Sequence, residues 1–302
     1  MSERKLLERI NEGVFFIDGA MGTELMARGA KMGECNDHLN VTEEGSAIVK
    51  AVHASYLAAG SDAVITNTFG ANAITLKRHG YADLAGKISE AGAKIAREAA
   101  DAAGGDRFVF GDIGPCGDFL EPLGMLKRDE LLAAFREQAK GLADGGADAI
   151  IIETMTAVEE IEVAVEAAKS VCDLPVFASL AYDPAGEEYR TMMGIDAAAA
   201  VDRLGNTGVS GIGFNCGTLD MEGYVGLAKA YADAIGDKGL VLLAEPNAGK
   251  PELVEDKAIY SLSPDDFAAA GEKIKAVGAG IMGGCCGTSP AHIEALVKKL
   301  RG

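Results

Sequence analysis

The chain has no tryptophan, only four histidines and eight prolines among 302 residues, and its aromatic side chains amount to 6%. Basic residues are also scarce, 28 against 46 acidic ones, which leaves a formal charge of −18. That balance argues against nucleic acid or an anionic membrane as partner, because both require a positive surface. No stretch approaches the ~20 apolar residues of a membrane span. Residues 1–11 are charged and lack the apolar run of a signal peptide, so a cytoplasmic location is expected. His38, His53, His79 and His292 show no ligand spacing, so neither a histidine metal site nor a Ser-His-Asp site is expected. His53 fits a helix face turned to the core or to a surface hydrogen bond. Six unevenly spaced cysteines do not resemble the framework of a small disulfide-stapled domain.

Hydrophobic residues make up 48% of the chain, with many alanines among them. Runs of strand length alternate with Ala-rich segments of helical period, the pattern of parallel βαβ units. The strand runs are 14–19, 63–69, 108–113, 149–154, 175–182, 211–216, 240–247 and 278–285. Helical patterns follow at 44–59, 84–103, 128–145, 157–171, 196–205, 221–234, 263–277 and 289–300. Gly60, Gly80 and Gly146 sit where helices should stop, and Ser263-Pro264 supplies a cap with proline at the first helical position. Eight strand–helix pairs predict an α/β fold, a (β/α)8 TIM barrel, as a single domain over 1–302. A doubly wound open sheet is disfavoured because no Gly-x-Gly-x-x-Gly turn follows the first strand.

In such a barrel, chemistry sits at the C-terminal ends of the strands. The polar residues fall there: Asp18, Asn67, Asn72, Asp112, Glu153, Asn215, Glu245 and Asn247. So do three cysteines, Cys216 after the sixth strand and the adjacent Cys285 and Cys286 after the eighth. Consecutive side chains on a strand point to opposite faces, so the adjacent pair is expected to rely on Gly283, Gly284 and Gly287 to turn both sulfurs inward. Three thiolates are a zinc ligand set with one position open, and a thiol in that position would be held deprotonated. Buried free cysteines, a vicinal disulfide and a glycine-rich phosphate loop are the competing readings. Cys172 and Cys35 need no special role, and Cys116 is undecided. Asp18 and Glu153, with Asp112 and Glu245, could face a substrate ammonium, or pair with a barrel Arg or Lys, or cap a helix. The asparagines fit substrate hydrogen bonds, a vacant metal position or loop caps. Met192-Met193, after the fifth strand, fits a pocket lining or core filling.

Taken together, Asp18-Gly19-Ala20-Met21-Gly22-Thr23, Thr66-Asn67-Thr68-Phe69-Gly70-Ala71-Asn72, Gly111-Asp112-Ile113-Gly114-Pro115, Glu153-Thr154, Asn215-Cys216, Glu245-Pro246-Asn247-Ala248-Gly249-Lys250-Pro251 and Gly283-Gly284-Cys285-Cys286-Gly287-Thr288 resemble the homocysteine S-methyltransferase family over essentially the whole chain. The resemblance is strongest to the homocysteine-binding module of cobalamin-dependent methionine synthase. It implies catalytic zinc on Cys216, Cys285 and Cys286, with Asp18 and Glu153 near the homocysteine amino group. Asn215, Glu245 and Asn247 are further candidate substrate contacts. The implied activity is methylation of homocysteine, bound as a zinc thiolate, to methionine. The chain has no folate or cobalamin module, so the implied donor is methylcobalamin or another methyl-corrinoid on a separate carrier protein. S-methylmethionine or betaine as donor, or another thiol as acceptor, are the alternatives; the missing tryptophan weakens a betaine-type aromatic cage.

Overall fold

The computed structural model describes residues 3–31, 33–254 and 257–301, so the domain expected over 1–302 includes a few positions outside the description. Eight strands form one sheet: β1 (Phe15–Phe16), β2 (Ala63–Ile65), β3 (Phe108–Ile113), β4 (Ala149–Met155), β5 (Val176–Leu180), β6 (Gly211–Asn215), β7 (Val241–Glu245) and β8 (Ala279–Met282). Their order is β1-β8-β7-β6-β5-β4-β3-β2, with every neighbouring pair parallel. The outer helices are α1 (Glu43–Ala58), α2 (Ala85–Ala103), α3 (Arg128–Asp144), α4 (Val158–Lys169), α5 (Ala197–Leu204), α6 (Met221–Ile235), α7 (Pro264–Ala276) and α8 (Pro290–Arg301). This is the expected (β/α)8 barrel. Several helices start where the sequence provides an acceptor for their free N–H groups. Asp196 accepts from Ala199 N, Asp220 from Gly223 N, and Ser263 from Asp266 N ahead of Pro264.

The seam between β1 and β2 is closed largely by side chains. Asp62 N donates to Phe16 O, and Phe16 N donates back to Asp62 Oδ2 at 2.8 Å. Towards the other end, Ile65 N donates to Asp18 Oδ2 at 3.0 Å. Asp62 is buried and also binds Arg9 at 2.9 Å and Arg301, so the lower seam is neutralised.

Inside the barrel, alternate strand residues meet. Phe15, Phe108, Phe110, Ile151, Phe177, Leu243 and Ile281 form one buried cluster, with Phe110 stacked on Phe177 at 5.3 Å and on Phe15 at 5.9 Å. Burying each such ring stabilises the fold by about 1.5–3 kcal/mol. A helix over Glu3–Asn11, within the segment read only as charged, plugs the bottom with Leu6 and Ile10. Two residues further along the same strand faces, this parity places Asp112, Glu153, Ser179, Asn215 and Glu245 above the phenylalanine layer. The period of the strand thus makes the floor apolar and the mouth polar.

Candidate active site

Cys216 lies one residue beyond β6 in the left-handed region, at φ 56°. Such a backbone is uncommon outside glycine and marks a locally held conformation. Tyr224 of α6 anchors it, its hydroxyl donating to Cys216 O at 2.7 Å. Cys285 and Cys286 lie beyond the end of β8 in a turn, which frees them from strand alternation. Of the three glycines expected to curl a strand end, only Gly287 is left-handed, at φ 77°. Gly283 and Gly284 are needed for space instead. A Cβ on Gly283 would stand 2.5 Å from Ile17 Cγ1 and 2.7 Å from Asp18 O, and one on Gly284 2.6 Å from Thr288 Cγ2. The turn is tied to the β7–α7 connection by Cys285 N donating to Pro246 O and Ala248 N to Cys286 O, both at 2.9 Å.

These turns bring all three sulfurs within 4.8 Å of one another. None is in a disulfide. Cys216 Sγ and Cys286 Sγ are 3.8 Å apart. Tetrahedral zinc with Zn–S bonds of about 2.3 Å separates its sulfurs by about 3.8 Å, so this spacing fits the ion without rearrangement. Hydrogen bonds from the Cys216 and Cys285 thiols pull Cys286 down to about 3, so one thiolate is already stabilised. Among the described residues, this is the one group of three or more His, Cys, Asp or Glu side chains close enough to share a metal.

Facing the sulfurs are Asp18, Asp112, Glu153 and Glu245, the first two and the last buried and Glu153 partly so. Among the described residues, none of the four has an Arg, Lys or His ion-pair partner, so the barrel-cation reading fails. Asp18 Oδ1, Asp112 Oδ1 and Glu245 Oε2 are buried without any hydrogen-bond partner. Burial pushes all four carboxyls up, Glu153 to about 7 with help from the Cys286 charge, and Asp18, Asp112 and Glu245 well above the usual range. Such a set lacks a cation, and a ligand ammonium would supply one.

Asn215 connects the two halves. Its Nδ2 donates to Glu153 Oε2 at 2.9 Å and lies 3.6 Å from Cys285 Sγ, while its Oδ1 accepts from Thr154 N and from Ser179 Oγ. Thr154 is itself left-handed, at φ 58°. Asn247 Nδ2 donates to Gly217 O at 2.9 Å, leaving Oδ1 buried and unpartnered.

Other candidates are structural. Asn72 caps a short helix by accepting from Thr75 N, and Asn67 donates to Asn36 O and Asn40 Oδ1. His53 is buried with neither ring nitrogen partnered, which pushes it down to about 3 and settles it as core-facing. Met192 and Met193 line no core: they are exposed beside the mouth. Two contributors escaped the sequence reading, Ser179, which donates to Asn215 Oδ1, and Tyr224, which donates to Cys216 O. Ser179 could have been found by strand parity with Asn215; a tyrosine on an outer helix gives no such signal.

A family model described as homocysteine S-methyltransferase matches residues 15–300. The chain is 35% identical over 304 residues to a methionine synthase of Mycobacterium tuberculosis (strain ATCC 25618 / H37Rv), and 33% identical to one of Mycobacterium leprae (strain TN). Each alignment takes in 96% of this chain but only 25% and 24% of the relative, so the chain spans about a quarter of their length. In overall fold it is similar to the metallated form of the homocysteine methyltransferase MmuM from Escherichia coli, with a TM-score of 0.79, 24% identity and 99% of both chains covered.

Proposed function

The chain belongs to the homocysteine S-methyltransferase family, and from that premise we propose that its barrel mouth binds homocysteine and methylates the sulfur to give methionine. The observation that carries this reading is the three-sulfur group set against carboxyls that have no cationic partner among the described residues: one side suits a thiol, the other an ammonium, and homocysteine has both. Zinc is the metal proposed for Cys216, Cys285 and Cys286; when bound it supplies a Lewis acid that keeps a substrate thiol deprotonated at neutral pH.

The protein's own groups do the positioning. Asp18, Glu153 and Glu245 take the substrate ammonium, which relieves their mutual repulsion. Asn215 orients Glu153 and holds it beside Cys285. Asn247 Oδ1 and Asp112 Oδ1 are free to accept further hydrogen bonds. Fixing the amino acid at one end aims its sulfur across the mouth and lowers the entropic barrier of the encounter with the donor.

For the donor we propose a protein-borne methyl-corrinoid. The supporting observation is where the exposed large apolar side chains lie. Met26, Phe69, Phe119, Leu123, Met125, Met192, Met193 and Ile259 all belong to connections leading from a strand to the next helix, on the mouth side. Leu123 is 63% and Met125 88% exposed, a rim suited to a large docking partner rather than a small amine. The test is an assay of metal-loaded chain with homocysteine against methylcobalamin, S-methylmethionine and betaine. The reading expects transfer from methylcobalamin, and failure with all three donors would sink it. Replacing Cys286 with Ser should abolish both the metal and the transfer.

A further inference from the structure

Strand β4 falls out of step with its neighbour where it carries Glu153. Ile152 is opposite Ala178 and Met155 opposite Leu180, so three residue steps on β4 match two on β5. Packing shows the same extra residue. Ala149 and Ile151 belong to the barrel interior, whereas Ile150, Ile152 and Met155 all pack in the outer layer with the helices. Between Ile152 and Met155 regular alternation has room for one inward residue, and the chain has two, Glu153 and Thr154. Thr154 is left-handed at φ 58°, a conformation that is a genuine outlier for a β-branched residue.

A bulge leaves its extra residue outside the ladder, and the Thr154 N–H, so released, donates to Asn215 Oδ1 at 2.8 Å. Asn215 Nδ2 returns a bond to Thr154 Oγ1 at 2.6 Å. One amide on β6 therefore grips Thr154 at two points, across Ser179 of β5, which donates to the same Oδ1 at 2.7 Å. A backbone N–H can only donate, so Oδ1 is obliged to face Thr154, and Nδ2 is left facing Glu153 Oε2 at 2.9 Å. We propose that Thr154 is a positioning residue of the ammonium half of the site: its bulge fixes the Asn215 amide, and the amide fixes the Glu153 carboxyl at the mouth. This rests on the reading of Glu153 as a partner of the substrate ammonium.

Calorimetry with methionine, run on the whole chain in the presence of zinc, tests this with three variants beside wild type. Thr154→Val keeps the shape and removes only Oγ1. Deletion of Thr154 restores strict alternation, with Glu153 still inward and Met155 still outward. Thr154→Ser keeps the hydroxyl. Circular dichroism and urea unfolding check that each is folded. Affinity for methionine should fall about tenfold or more in Thr154→Val and in the deletion, and stay within about threefold in Thr154→Ser. Zinc affinity, measured by chelator competition, should stay within about threefold of wild type in all three, because the cysteine turns follow β6 and β8 rather than β4. A folded Thr154→Val or deletion variant that binds methionine as wild type does would overturn the assignment while the ammonium reading stands. Equal losses of zinc and methionine would overturn it too, since they mark a general weakening of the barrel. If wild type itself binds no methionine, the ammonium reading and the assignment fall together.

Discussion

Asp18 serves two ends with its two oxygens. Oδ2 accepts from Ile65 N and closes the upper seam of the barrel, while Oδ1 is buried without a partner at the mouth. Glu153 is the most testable of the acidic group, because it is held up at about 7 by burial and by the nearby Cys286 charge. An ammonium beside it would pull it down, so binding below that pH must expel a proton. The affinity for methionine, which carries the ammonium but no thiol proton, should therefore rise from pH 6 to 8, by up to about tenfold per unit. Glu153→Gln should flatten the profile; a flat wild-type profile in calorimetry would count against the ammonium role. The same raised group should make ligand-free protein lose stability as pH climbs from the ordinary glutamate range through about 7, since the folded state then holds a proton the unfolded chain would release. At this scale the sequence is legible where residue types are improbable by chance. Two cysteines among glycines announce themselves, and carboxylates at strand ends follow from parity. Tyr224 does not, because it reaches the site only through the hydrogen bond of its hydroxyl to Cys216 O, from an outer helix.

At the scale of elements, the eight strands and eight outer helices fall where the alternating patterns put them. Six of the eight strands are shorter than their apolar runs; β3 matches 108–113, and β4 extends one residue beyond 149–154. Ala63–Ile65 occupies only part of 63–69, because Thr66, Asn67 and Thr68 turn to local hydrogen bonds with the neighbouring connections and with each other. Strand ends are thus the least legible part of the fold and the part where the site is built. The N-terminal helix was hidden by its charges, its Leu6 and Ile10 being too few to stand out in so short a segment. Two substitutions probe the element contacts. Gly283→Ala inserts a methyl between β8 and the end of β1 and should cost about 1–3 kcal/mol in urea unfolding, with weakened metal binding because Asp18 and Cys285 flank the strain. Asp62→Ala removes the acceptor of Phe16 N and the partner of Arg9 and Arg301, and should cost about 3 kcal/mol. A loss below 0.5 kcal/mol in either would mean that these contacts are not what holds the strands together.

Across the whole molecule, the two ends of the barrel are built differently. The bottom is closed by the N-terminal helix and by Asp62 with its arginines; the mouth holds sulfurs, unpaired carboxyls and an apolar rim. If that rim receives a protein-borne donor, a charge placed on it should slow docking without touching chemistry. Met125→Glu should reduce transfer from a corrinoid protein about tenfold or more while leaving transfer from free methylcobalamin within about twofold, a contrast that steady-state rates with the two donors would show. Equal loss with both donors would argue that the rim shapes the site itself. The central claim is that the three cysteines hold zinc and leave a position for the substrate's sulfur. X-ray absorption on the zinc-loaded chain tests it most directly: the account predicts three sulfur neighbours at about 2.3 Å that become four when homocysteine is added, whereas a sulfur count unchanged by homocysteine would contradict it.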